Sequence, residues 1–116
     1  MALKRLAKKL FPGVGWQHPV VNIAFRGIDP VDYLVRRFRG LNGLPPYSIR
    51  VRSNGVNRQF GGRYFRYNGQ LLCRMLQQHA GLTERSSVLE IGCGCGRTAF
   101  ALADVLQDGG YVGMDI

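Results

Sequence analysis

The chain has 116 residues, 46% of them hydrophobic, and its sixteen Lys and Arg against seven Asp and Glu give a formal charge of +9. That apolar content excludes a disordered tail, while the length suits one small domain and is short for a doubly wound α/β enzyme. No apolar run approaches the roughly 20 residues that span a bilayer, and lysines interrupt the stretch where a secretory signal would need continuous apolar sequence.

The charge is unevenly spread. Residues 1–80 hold fourteen Lys and Arg against Asp29 and Asp32, whereas residues 81–116 hold two Arg against five acids. Two regions are expected, a basic helical and loop region over 1–80 and a mildly acidic region over 81–116. The basic part suits nucleic acid, an anionic membrane surface or an acidic substrate. Cys73, Cys93 and Cys95 form no disulfide framework and read as reduced thiols of a cytoplasmic protein. A Cys-x-Cys pair can open a zinc site. Here Cys73, His18 and His79 show no ligand spacing, so no metal is expected.

Residues 2–11 read as an amphipathic helix, with Leu3, Leu6, Ala7, Leu10 and Phe11 on one face and four cations opposite. A lipid-surface helix with Trp16 as interfacial anchor has this pattern, so peripheral membrane association through residues 2–11 is one alternative. A mitochondrial presequence, though without serine, and a solvated helix packed on the domain are the others. A second helix is expected to begin at Asp29 as N-cap with Pro30 at its first position. Val31, Leu34, Val35 and Phe38 make its apolar stripe, and Gly40 closes it. Residues 40–69 read as loop with short extended pieces such as Ser48–Val51.

In that loop NRQFGGRYFRYNG interleaves Arg58, Arg63 and Arg66 with Phe60, Tyr64, Phe65 and Tyr67. Aromatics beside arginines can grip single-stranded nucleic acid. No RNP or KH signature accompanies them, so the expectation is a half-buried loop with solvated arginines. A third helix is expected over Asn68–Ala80, with Leu71, Leu72, Met75 and Leu76 as its apolar face and Gly81 as its left-handed stop. Cys73 within it reads as packing.

From Ser87 the texture changes. Val88–Ile91 is β-prone, Gly92-Cys93-Gly94-Cys95-Gly96 follows at once, Thr98–Gln107 is helical and mostly apolar, and Tyr111–Ile116 is a second strand carrying Asp115. A narrow polar stripe on that helix runs through Thr98, Asp104 and Gln107. Strand, glycine loop, helix and strand make half of a mononucleotide-binding unit. A right-handed crossover sets the strands parallel, so both carboxyl ends open on one sheet edge. Glycines let a ligand lie on bare backbone. Asp115, 19 residues after Gly96, can accept from both hydroxyls of a ribose. Dinucleotide binders use G-x-G-x-x-G; here the third glycine comes one place early and Arg97 takes the sixth position.

Residues 90–96 spell E-x-G-x-G-x-G, and this segment resembles motif I of class I S-adenosylmethionine-dependent methyltransferases. The string VLEIGCGCGR is similar to a bacterial subset of them, and PPYSIRVR and the AGL before the first strand fit that subset more loosely. The resemblance implies an α/β, Rossmann-like class I methyltransferase fold preceded by the helical N-terminal region. It makes residues 81–116 the start of an S-adenosyl-L-methionine-binding domain. Gly92, Gly94 and Gly96 would floor the methionyl and ribose parts, with loop amides near the methionine carboxylate. Glu90 would approach the ammonium, Asp115 the ribose, and Cys93 and Cys95 would line the loop without acting as nucleophiles. Arg97 is expected to pair with an acid or reach solvent. The implied reaction is methyl transfer to a small-molecule or glycan-type acceptor, with catalytic residues unassigned. The family sheet has seven strands, so the chain is expected to stop after the second parallel one. The other reading is a non-enzymatic, basic RNA- or membrane-surface-binding module that carries a remnant cofactor site.

Overall fold

The computed structural model describes residues 18–55 and 58–116. The amphipathic segment 2–11 and Trp16 lie outside them. Helices α1 (Pro19–Phe38), α2 (Tyr47–Asn54) and α3 (Arg63–Ala80) precede strand β1 (Ser87–Ile91), helix α4 (Arg97–Leu102) and strand β2 (Gly110–Met114). The described residues are therefore α/β, with a small two-stranded parallel sheet and helices. Among the described residues no helix is long and apolar enough to cross a membrane.

Helix α1 starts ten residues before the expected Asp29. His18 is its N-cap, with Nδ1 accepting from the Val20 amide at 3.3 Å, and Pro19 occupies the first turn. Pro30 lies inside the helix, where it has no N–H to give the carbonyl four residues back. Packing overrides that loss: Phe25, with Val21 and Ile28 beside it, packs on Tyr47 and Val51 of α2. Phe25 and Tyr47 meet edge to face at 5.9 Å. Asp29 does cap a helix, but a different one. Its carboxylate accepts from the Ser48 amide at 2.8 Å and the Ser48 hydroxyl at 2.7 Å, in the first turn of α2. The supposedly extended Ser48–Val51 is thus helical, stabilised at its positive end by an acid from a neighbouring element. Gly40 closes α1 as expected, at φ 66°, with Leu41 N–H donating to Arg36 O at 2.8 Å and Gly40 N–H to Arg37 O at 3.1 Å.

The buried face of α1 is not the expected apolar stripe. Val31, Leu34 and Phe38 are exposed, and the helix buries Phe25, Asp32 and Arg36 instead. Asp32 sits at the centre of a buried charge cluster. Its Oδ2 accepts from Arg36 Nε at 2.7 Å; its Oδ1 accepts from Arg50 Nη2 and from the Gly61 amide, each at 2.7 Å. The guanidiniums spend further donors on carbonyls: Arg36 on Asn42 and Leu44, Arg50 on Pro45 and Gln59. Burial pulls the Arg50 pKa down and Asp32 opposes that shift. Two cations and one carboxylate therefore tie α1, α2 and the loops at 41–45 and 59–61 into one unit.

Helix α3 begins at Arg63, five residues before the expected start, so Tyr64, Phe65, Arg66 and Tyr67 are helical. Its buried positions are Phe65, Gly69 and Cys73, spaced four apart. Leu71 and Met75 of the expected face are exposed. Gly69 decides this rotation, because it lets α3 lie against the α4 backbone; a Cβ there would come 2.6 Å from the Arg97 carbonyl oxygen. Cys73 packs with Ala101 and Leu102, and Leu82, Val88, Val105, Leu106 and Tyr111 join the cluster. Burial raises the Cys73 thiol pKa, and Asp104 adds to the rise. Gly81, at φ 67°, ends α3 and Leu82 N–H returns to the Leu76 carbonyl at 3.2 Å.

Helix α4 is shorter than the expected Thr98–Gln107. After Leu102 the chain turns, because the amides of Gln107, Asp108 and Gly109 all donate to the Glu84 carbonyl, at 3.0, 3.2 and 3.0 Å. The strands pair parallel as expected, with Ser87 opposite Gly110 and Glu90 opposite Gly113.

Candidate functional site

The loop between β1 and α4 turns on three glycines in the left-handed region, at φ 78° for Gly92, 55° for Gly94 and 80° for Gly96. A side chain at any of them would be strained. Gly92 and Cys93 both donate their amides to the Met114 carbonyl, at 2.7 and 3.1 Å, which pins the loop to the end of β2. Gly96 N–H donates to Cys93 O at 2.9 Å, and Gly96 then serves as N-cap of α4. A Cβ built on Gly92 would meet nothing within 4 Å, so bare backbone faces open space there.

Both expected acids reach this sheet edge. Asp115 Oδ2 accepts from the Gly94 amide, and Oδ1 accepts from the Ile116 amide at 2.8 Å. Glu90 Oε1 accepts from the Thr98 hydroxyl at 2.7 Å and Oε2 from the Tyr111 hydroxyl at 2.6 Å. Glu90 thereby braces the first turn of α4 against β2. Burial, foremost, and the hydrogen bond to Glu90 push the Tyr111 pKa well up. One expectation needs correcting. The amides of Gly92, Cys93, Gly94 and Gly96 are all spent within the chain, because they fasten the loop to β2 and to itself. They do not face outward as a carboxylate cradle.

Sequence reasoning missed four contributors. Thr98 is buried on Glu90, and only its place in a polar stripe on an otherwise apolar helix hinted at it. Tyr111 carried no signal beyond being a polar-tipped aromatic in a strand. From α2, Asn54 Nδ2 donates to Cys95 Sγ at 3.4 Å, and Ser53 Cβ lies 3.3 Å from where a Gly94 Cβ would sit. Cys93 is half-buried beside Gly113, where any Cβ would come within 3.0 Å of it and 2.7 Å from the Tyr111 hydroxyl.

A cleft of about 180 Å³ opens elsewhere, among Leu41, Leu44, Arg66, Gln70, Arg97 and Asp104. Half-buried Arg97 lines it, while Glu90, Asp115 and the loop glycines do not. Of the aromatic and arginine segment, Phe65 is buried and stacks edge to face on Phe100 at 6.1 Å, and Phe60 packs similarly on Tyr47. Tyr64, Tyr67, Arg63 and Arg66 are exposed on the first turns of α3, with the Arg58 guanidinium 6.0 Å from the Tyr64 ring centre. No family model matches this chain, and no solved structure matches it.

Proposed function

We propose that the chain carries the cofactor-binding start of a class I S-adenosyl-L-methionine-dependent methyltransferase, acting in the cytoplasm on a small-molecule or glycan-type acceptor. The observation that supports this reading best is the loop: three left-handed glycines between a strand and a helix, flanked by acids from two parallel strands.

The residues present fit such a ligand. Gly92 offers open backbone as a floor, and Glu90 and Asp115 are acceptors matched to an ammonium and to ribose hydroxyls. An ionised carboxylate has about four lone-pair sites. Glu90, holding Thr98 and Tyr111, and Asp115, holding two amides, therefore keep capacity for a ligand's donors. The ligand's own carboxylate is not assigned to the four committed loop amides. When bound, S-adenosyl-L-methionine supplies an electrophilic methyl group on its sulfonium; the chain's part is to bind and orient. Cys93 and Cys95 line the loop as free thiols, in keeping with a reducing compartment.

Calorimetry with S-adenosyl-L-methionine, its demethylated product and NAD, on a version extended to complete the family's sheet, tests the reading. The first two should bind and NAD should not. Asp115→Asn should cost about 1.5–3 kcal/mol through weakened charged hydrogen bonds. Gly94→Val should cost more, since it meets Ser53 and strains a φ of 55°. Tight NAD binding, or S-adenosyl-L-methionine affinity unchanged in both variants, overturns the proposal.

A further inference from the structure

Independently of the cofactor site, we propose that the outer face of α1 lies flat on an anionic membrane surface. Val20, Ile23, Val31, Leu34 and Phe38 are 57, 69, 57, 53 and 90% exposed. At 100° per residue all five fall on one stripe, and exposed Ala24 and Gly27 fill its middle. The stripe runs for about 27 Å at 1.5 Å per residue. It lies opposite the face that packs on α2 through Phe25 and anchors the charge cluster through Asp32 and Arg36, so the helix cannot hide it by rolling over.

Charge identifies the occupant. Exposed Arg26 and Arg37 border the stripe along one edge, whereas Arg39 turns to the other side and donates to the Gly61 carbonyl at 3.3 Å. The only acids of residues 18–55 are turned to structural work, Asp29 on Ser48 and Asp32 on two arginines. Thus no carboxylate of residues 18–55 is free to face the apolar strip. An apolar stripe rimmed by arginine is the pattern of a helix seated at the headgroup boundary, with the guanidiniums reaching up to lipid phosphates. A lipid surface also asks for no shape complementarity, which suits a face mixing Phe38 with Gly27.

The test uses the full chain with vesicles of phosphatidylcholine alone or with phosphatidylglycerol. The wild-type protein should sediment with the anionic vesicles and much less with the neutral ones. Leu34→Ser with Phe38→Ser should weaken that binding by more than about tenfold, and Arg26→Gln with Arg37→Gln by roughly fivefold per arginine, with a flatter salt dependence. All four side chains are exposed, so circular dichroism should remain that of the parent. A direct readout is Phe38→Trp in a Trp16→Phe background, whose emission should shift blue on anionic vesicles and be quenched by brominated lipid. Vesicle binding equal in parent and variants overturns the proposal, because another segment then carries it or there is none. So does self-association in lipid-free buffer that Phe38→Ser abolishes, which would make the face a contact between copies, or a position-38 tryptophan indifferent to vesicles.

Discussion

Replacing Asp32 with Asn keeps the side-chain shape and removes the charge that two buried guanidiniums share. Asp32 is fully buried, Arg36 is 3% exposed and Arg50 0%. The carboxylate accepts three hydrogen bonds at 2.7 Å, two of them from cations. Asn has one acceptor oxygen. If that oxygen stays on Arg50 and Gly61, the amide NH2 points at Arg36 Nε, donor against donor. Removing one member of a buried ion cluster typically costs about 3–5 kcal/mol, a large share of the roughly 5–15 kcal/mol that holds a domain folded. We expect Asp32→Asn to lose about 3–5 kcal/mol in urea denaturation followed by far-ultraviolet circular dichroism. Hydrogen exchange should rise across 19–54. Because the cluster is shielded from solvent ions, the loss should persist in 1 M salt. Replacing the whole cluster by Asp32→Leu, Arg36→Met and Arg50→Met should not recover the parent's stability, because although no unpaired charge remains buried, the Gly61 amide and the carbonyls that the arginines held lose their partners. A cost below about 0.5 kcal/mol for Asp32→Asn, or one that salt erases, refutes this account.

Two further perturbations probe the packing under the loop. Gly69→Ala gains about 1 kcal/mol of helix propensity but drives a Cβ to 2.6 Å from a backbone carbonyl; we expect a net loss of about 1–2 kcal/mol by the same denaturation. Tyr111→Phe should cost about 1 kcal/mol near neutral pH by removing the bond to Glu90. Since the folded pKa of Tyr111 is raised above its ordinary 10.0, its contribution is complete below pH 10 and fades as pH rises toward the folded value. The gap between parent and variant should therefore stay constant up to about pH 10 and narrow only above it in denaturation series; a gap that stays constant above pH 10 contradicts the assignment.

The region from Ser87 onward was largely legible in the sequence. A glycine at positive φ, a β-prone run and a parallel crossover are consequences of a few neighbouring residues, and so the loop and its two acids are placed as expected. The helix ends at Gly40 and Gly81 were legible for the same reason. Asp29-Pro30, read as a helix start, misled because capping chemistry is local in kind but not in target: Asp29 caps α2, whose Ser48 is 19 residues away. Likewise Ile49 and Val51 alternate like a strand, yet Tyr47 and Val51 pack on Phe25 only from a helix.

Chain order thus determined the glycine turn, the acids beside it and the helix stops at Gly40 and Gly81, the turn and the stops because few residues adopt their left-handed backbone conformations. Tertiary structure alone decided which helix faces are buried. The sequence assigned Val31, Leu34 and Phe38 to the core of α1 because it counts apolar residues. In the fold, Asp32 meets Arg36 and Arg50 at once, and a paired charge cluster can occupy an interior that apolar side chains then leave. That choice depends on three groups arriving together from two helices, and spacing along a chain does not record such a meeting.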